Sequence, residues 1–264
     1  MAKRVLVTGG AQRLGAALCL EFARAGWEVW CHYHRSASAA QALQANLLDQ
    51  GLVLHTVQAD LGDEAARQHM MAHIGQHSGA LHCLVNNASS FEPDQGDQLQ
   101  MDLVRQQWEI NLLAPLSLSA LLHQQLAPDA ATGSCSVIHV LDQKVFNLNP
   151  DYFSYTVSKL ALERAVALQA QALAPALRVC GVAPGLMFQS GPQSADNFAQ
   201  ASRVNLLRTP LDPQRVAQSC VFLAENPCIT GCTLSVDNGQ HLLPLARDVM
   251  FTVPDSSNPQ NPSA

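Results

Sequence analysis

Short runs of consecutive apolar, often β-branched residues alternate along the chain with longer segments in which apolar positions recur at helical spacing. "RVLVTG" is followed by an amphipathic segment over 13–25, "EVWCHY" by one over 37–50, "LVLHTVQA" by 63–77, and "LHCLVNNA" by 99–127. "CSVIHVL" leads to 152–174, "LRVCGVAPG" to a polar stretch and a helix near 213–225, and "CTLSVDNG" closes the series. Strands covered by helices on both faces have no polar face to present. Continuous apolar runs are therefore the signature of a parallel sheet between two helical layers. The pattern predicts an α/β chain with a single doubly wound domain over 1–253 and a seven-stranded parallel sheet. The remaining 254–264, within "VPDSSNPQNPSA", is rich in Pro, Ser and Asn and is expected to be a disordered tail.

In such sheets ligands bind beyond the carboxyl ends of the strands, which directs attention to 8–15, 32–36, 60–61, 86–91, 140–144 and 183–190. Composition narrows the kind of ligand. A net charge of −6 without a basic cluster argues against a nucleic-acid partner, and no apolar run reaches the roughly 18 residues of a membrane span. The start "MAKRVLVTGG" runs into glycines instead of a signal-peptide cleavage site, and the 8 cysteines form no C-x-x-C pair. The expectation is a soluble cytoplasmic protein with reduced thiols and a small-molecule partner.

"VLVTGGAQRLG" places a glycine-rich turn between the first strand and the first helix. Gly9 and Gly10 permit a tight turn, Gly15 permits close helix–strand approach, and the free N–H groups of the helix start suit a pyrophosphate. The spacing is not G-x-G-x-x-G, and a purely structural turn would look the same. The second strand ends in "CHYHRS", where NAD enzymes usually carry an acid for the ribose hydroxyls. Arg35, with His34 and Ser36 beside it, suits a 2′-phosphate instead, so NADPH is expected over NADH. Asp60 and Leu61 could flank the adenine, although Asp60 could equally cap the next helix. In "VNNASSF", Asn86 and Asn87 could bond neighbouring backbone and steady the groove wall.

Tyr155 and Lys159 at i and i+4 share a helix face, where the amine could depress the phenol's pKa from about 10. Asn111 in "EINLLAP" could hold a water or a backbone carbonyl for a proton relay. His69, His73 and His77 at i, i+4 and i+8 have zinc-like spacing, but no carboxylate or thiol completes a site there. No metal is expected.

With "TGGAQRLG", "NNAS", Asn111, "YTVSK", "VAPG" and "ITGCTLSVDNG" in order, the chain resembles the short-chain dehydrogenase/reductase family over nearly its full length. The resemblance implies one Rossmann domain, hydride transfer from nicotinamide, and a homotetramer. Most members carry glycine where Arg13 stands, glycine where Ser89 stands, and serine where Asp142 stands. "RLG", "HYHRS", "NNASSF" and an Asp thirteen residues before the Tyr are similar to the pteridine reductase branch instead.

That branch implies NADPH-dependent reduction of a pterin or folate. The cofactor would lie along Gly9, Arg13, Leu14, Gly15, His34, Arg35, Ser36, Asp60, Leu61, Asn87, Ala88 and Ser89, and against Tyr155, Lys159, Pro184, Gly185 and Leu186. Arg13, Ser89, Phe91, Asp142, Tyr155 and Met187 would meet the substrate, with Phe91 stacking on the bicyclic ring. Catalysis would fall to Asp142, Tyr155, Lys159 and Asn111.

A ketone reductase needs only to protonate an alkoxide, whereas a pterin C=N nitrogen must gain a proton as its carbon gains hydride. Asp142 suits that task at N5 of a 7,8-dihydropterin, and Tyr155 could donate directly to a fully oxidised pterin. The segment 187–212 would form a mobile lid, with Met187 and Phe188 facing inward. A carbonyl reductase acting on a 3-oxoacyl thioester or quinone, or a non-catalytic NADPH sensor, would share much of this pattern.

Overall fold

The computed structural model describes residues 3–126, 133, 135–191 and 193–253. Seven parallel strands form one sheet: β1 (Arg4–Val7), β2 (Glu28–Tyr33), β3 (Leu54–Gln58), β4 (Cys83–Asn86), β5 (Cys135–Val140), β6 (Leu177–Pro184) and β7 (Thr233–Val236). Their order is β3-β2-β1-β4-β5-β6-β7, so the chain starts in mid-sheet, builds to one edge, returns past β1 and builds to the other. That reversal between β1 and β4 leaves a crevice at their carboxyl ends, as the doubly wound pattern requires. The predicted α/β Rossmann architecture is the one observed.

The helices α1 (Arg13–Arg24), α2 (Ala37–Asp49) and α8 (Pro213–Glu225) lie on one side of the sheet. The other side carries α3 (Glu64–Ser78), α5 (Ala114–Gln125) and α6 (Phe153–Leu173). Each face has its own core: Leu18, Phe22, Val29 and Val216 on the first, Leu6, Met71, Leu84, Leu118 and Leu162 on the second. Because both faces are covered, β1, β4, β5 and β6 bury almost every side chain, which is why they read as unbroken apolar runs.

Three expectations need revision. The single helix expected over 99–127 is divided into α4 (Met101–Trp108), a π-helical segment Glu109–Leu113, and α5. Pro115 has no N–H to give the carbonyl of Asn111, so the ladder slips to the wider register: Ala114 N bonds to Glu109 O. The polar segment 187–212 contains a helix, α7 (Ala195–Ala201), capped by Ser194. Asn197 ties it down by donating to the carbonyls of Met250 (3.0 Å) and Val253 (3.2 Å). Finally, two single-turn 3₁₀ helices, Gln240–Leu242 and Val249–Phe251, follow β7, where no element was anticipated. The tail expected over 254–264 lies outside the described residues.

Candidate active site

A cleft of about 1300 Å³ runs along the carboxyl ends of the central strands. The β1–α1 turn forms its floor. Gly9 has φ of +60°, and a Cβ there would lie 3.0 Å from Ala88 Cα. Gly15 sits so close under the turn that a Cβ would overlap the carbonyl of Gly9. The helix behind it starts without a side-chain cap: Gln12 is extended and bonds none of the first-turn N–H groups. Arg13, with φ of +52°, crosses the mouth and donates to Gln189 O at 2.7 Å, its guanidinium 5.0 Å from the Phe188 ring.

Two residues given no role of their own in the sequence, His32 and Thr8, hold this turn. Gly9 N donates to Nδ1 of His32 (3.1 Å), and Nε2 of His32 bonds Ala59 O (3.1 Å). Burial lowers the imidazole to about 4, so it is the neutral tautomer that links the turn to β3. Thr8 Oγ1 accepts from the N–H of Asn87 (2.9 Å) and of Ala88 (3.0 Å). Asn87 Nδ2 returns two bonds to the carbonyls of Thr8 and Gly9, as expected of a wall residue. Asn86 instead turns inward, to within 3.2 Å of His139 Nδ1.

His34, Arg35 and Ser36 line the far end of the cleft together with Asp60 and Leu61. Asp60 does not cap α3; that role falls to Asp63, which accepts from Ala65 N at 2.8 Å. Asp60 Oδ1 accepts from Gly62 N (2.9 Å), while Oδ2 stands 3.8 Å from His34 Nε2. The acid at this rim, Asp60, thus faces His34.

At the near end, Asp142 follows β5 and caps a 3₁₀ turn, Gln143–Val145. Its Oδ1 accepts from Lys144 N (2.9 Å) and its Oδ2 from the hydroxyl of Tyr155 (2.9 Å). One side chain thus caps the turn through one oxygen and meets the Tyr155 hydroxyl through the other. Burial raises the carboxyl above its usual range, and the Lys144 amide and ammonium only partly offset it. Tyr155 moves the opposite way from the expectation. Burial, then the negative charge of Asp142, push the phenol well above 10, so Asp142 is the stronger acid of the pair. Lys159, 3% exposed, donates to Val140 O at 2.8 Å, and burial lowers its amine to about 8.

Asn111 is fully buried, and its amide is saturated. Nδ2 donates to Ser90 O (2.9 Å) and Ser158 Oγ (3.1 Å), while Oδ1 accepts from Ser89 Oγ (3.1 Å) and Ser90 N (2.8 Å). Its side chain fixes the Ser89–Ser90 wall and leaves no site for a water, so of the two roles expected only the grip on a backbone carbonyl remains. Phe91 stacks on Tyr152 (4.1 Å, 17°) and meets Tyr155 edge-on (4.6 Å, 84°) at the cleft wall. Pro184, Gly185, Leu186 and Met187 close the remaining side, where Gln240 Oε1 accepts from Leu186 N at 2.9 Å.

His73 and His77 lie with ring centroids 4.0 Å apart on α3, away from the cleft. Among the described residues no three His, Cys, Asp or Glu side chains come together as a metal site. Six of the eight cysteines are buried, while Cys228 and Cys232 are exposed. No helix among the described residues is long and apolar enough to cross a membrane.

The model of the family described as short chain dehydrogenase matches residues 3–196. A dihydromonapterin reductase from Citrobacter koseri is 26% identical over 239 residues, 90% of this chain and 96% of that protein. The FolM alternative dihydrofolate reductase 1 of Brucella canis, solved with NADP, superimposes with a TM-score of 0.86 at 34% identity, covering 91% of this chain and 94% of that one. A short chain dehydrogenase of Burkholderia cenocepacia, also solved with NADP, superimposes with a TM-score of 0.81 at 27% identity, covering 90% and 97%.

Proposed function

The chain belongs to the short chain dehydrogenase family, an oxidoreductase family, and on that premise we propose that it is an NADPH-dependent reductase of 7,8-dihydropterins. The observation that carries the reading is the carboxyl group of Asp142, in the cleft and 2.9 Å from the Tyr155 hydroxyl.

The groove fits NADPH. The uncapped first turn of α1 offers N–H groups to a pyrophosphate, and neither Gly9 nor Gly15 has room for a Cβ. Leu14, Asn87 and Ala88 form the walls, Leu61 flanks the adenine with Asp60, and Arg35 with His34 and Ser36 holds the 2′-phosphate. Pro184, Gly185 and Leu186 shape the nicotinamide end, and Lys159 holds the adjoining ribose. Bound there, NADPH supplies the hydride that C6 of the pterin accepts.

The chain's own residues supply the proton and the alignment. Asp142, whose carboxyl burial raises above its ordinary value, gives its proton to N5. Tyr155 orients Asp142 through its hydroxyl, and donates in its own right to a fully oxidised pterin. Phe91 offers a flat apolar wall to the ring, and Arg13, Ser89 and Met187 border its polar edge. Asn111 acts on the pterin only by fixing Ser89 and Ser90. Residues 187–212 close over the substrate, and α7 stays anchored to the turn at Met250 through Asn197. The homotetramer is supported by apolar side chains left exposed at Met101, Trp108 and Leu113, and sedimentation would test it.

The test is NADPH oxidation with dihydrobiopterin, dihydromonapterin, dihydrofolate and a panel of ketones and quinones. Turnover of at least one dihydropterin is expected. Turnover of carbonyl compounds alone would replace the reading with a carbonyl reductase, and tight NADPH binding with no turnover would make the protein a sensor.

A further inference from the structure

Behind Asp142 lies a buried ionic cluster that neither the family pattern nor the proposed chemistry uses. Lys144, 2% exposed, spends all three ammonium hydrogens on protein acceptors, each at 3.0 Å: Asn149 Oδ1, the carbonyl of Asp151, and Asp248 Oδ2. Its backbone N–H at the same time holds Asp142 Oδ1. Asp248 Oδ1 accepts from Met250 N, capping the 3₁₀ turn Val249–Phe251, and its own N–H donates to Asp151 Oδ2 at 2.6 Å. Asp151 is locked in turn by Arg247, with Nε at 2.9 Å from each oxygen. Tyr152, one turn before Tyr155, lies 5.3 Å below the Lys144 ammonium and donates to Met250 Sδ at 3.3 Å. Lys144, Asp248 and Met250 also line the cleft beside Asp142.

A buried ion pair with this many satisfied bonds adds little stability beyond what an apolar replacement would give, so its presence calls for another reason. The geometry points to Lys144 and Asp248 as positioning residues of the proton donor: the C-terminal turn, through this pair, sets the place and the acidity of Asp142. This rests on the reading of Asp142 as the donor.

The charges nearest Asp142 fall in a simple arrangement. Lys144 adjoins it on the same turn, Tyr155 and Lys159 face it from α6, and Asp248 faces it from the C-terminal turn. Asp248 pushes the Asp142 carboxyl up and Lys144 pulls it down. Removing one charge or the other should therefore move the titration in opposite directions, and a positioning role further requires that the pH profile of turnover follow. Asp248→Asn leaves the Lys144 charge unbalanced and favours the carboxylate, and Lys144→Met leaves the Asp248 charge unbalanced and favours the acid.

The test compares the full chain with Asp248→Asn, Lys144→Met and Lys144→Arg, with saturating NADPH and a dihydropterin. Expected is a fall in kcat of about tenfold or more for the first two, with the KM for NADPH within about threefold of the parent. The alkaline loss of activity should move to lower pH in Asp248→Asn and to higher pH in Lys144→Met, and Lys144→Arg should restore the parent profile. Asp248→Asn preserves shape and an acceptor for Lys144, so it serves even if Lys144→Met does not fold.

Carbon-13 NMR of the Asp142 carboxyl, assigned by difference against Asp142→Asn, reads the same shift without turnover. Unmoved titration and unmoved profile in a folded Asp248→Asn would overturn the positioning role. Opposite shifts by NMR with full activity in Asp142→Asn would show that the pair sets the Asp142 carboxyl while overturning the donor assignment on which the positioning role rests.

Discussion

The hydroxyl of Tyr155 donates to Oδ2 of Asp142 across 2.9 Å, and the aspartic acid, not the phenol, is the group whose proton is easier to remove. Burial raises both, but the carboxyl starts roughly 6 units lower. Asp142→Ser should keep a hydroxyl near Tyr155 while removing the carboxyl. We expect dihydropterin turnover to fall about a hundredfold or more, with the Kd for NADPH unchanged within about threefold. Steady-state kinetics with fluorescence titration of NADPH measures both, and a Ser variant with parent kcat would remove Asp142 from the chemistry.

Tyr155→Phe separates the two donors. With a dihydropterin the variant retains Asp142 and should keep more activity than Asp142→Ser. With a fully oxidised pterin, where the phenol is the proposed donor, the order should reverse. Equal losses on both substrates would mean that the two groups act only as a unit.

The sheet and most of its helices were legible because packing on two faces leaves a signature in every strand. β2 over Glu28–Tyr33 and α8 over Pro213–Glu225 coincide with their sequence segments, α8 because Asp212 caps it and Pro213 starts it. The cleft residues were legible for a different reason, since strand ends in this architecture converge whatever their chemistry. The π-helical break was not, because it depends on what Pro115 fails to donate and on four bonds that Asn111 makes to residues distant in sequence. His32 stood at a strand end already singled out, but its link from Gly9 to Ala59 joins residues distant in sequence. The expected acidity of Tyr155 failed because the spacing shows Lys159 but not the depth of burial or the carboxylate at the hydroxyl. Lys144 and Asp248 meet only in three dimensions, and three-residue turns have no periodicity to read.

Lys159 should reduce stability in the ligand-free protein. Its amine falls to about 8 in the fold, mainly through burial, against an unfolded reference near 10.4. A base with a depressed folded pKa costs stability wherever it is charged in both states, below about 8, and that cost disappears as pH rises from about 8 to 10.4. Lys159→Met should therefore be more stable than the parent by about 1–3 kcal/mol at pH 7, with the gap closing above pH 8, while turnover is lost. Urea denaturation at pH 7 and pH 9.5 measures the gap, and a destabilised variant at pH 7 would show that the Val140 bond outweighs desolvation.

Arg35 stands exposed at the far end of the cleft, where β2 leaves the sheet and Asp60 already faces His34. Arg35→Asp removes the proposed partner of a 2′-phosphate and places a like charge in its position. The contact is worth about 1.5–3 kcal/mol, so preference for NADPH over NADH should fall about ten- to a hundredfold. The ratio of kcat/KM for the two cofactors measures it, and an unchanged ratio would move the phosphate site elsewhere along the rim.

Gly15 tests the floor of the groove independently of any assigned charge. A methyl group there would overlap the carbonyl of Gly9 and lie 2.8 Å from the Cα of Gly10, both backbone atoms held in place by His32 and Asn87. Neither can yield without opening the turn, so α1 must move outward. Gly15→Ala should lose about 1–3 kcal/mol of stability, as overpacked sites do. It should also weaken NADPH by more than it weakens the fold, because the first-turn N–H groups would leave the position that a pyrophosphate needs. Thermal denaturation with and without NADPH separates the two effects: the parent should gain stability from the cofactor and the Ala variant should not. Equal cofactor-induced gains would mean that the phosphate is held by something other than this turn.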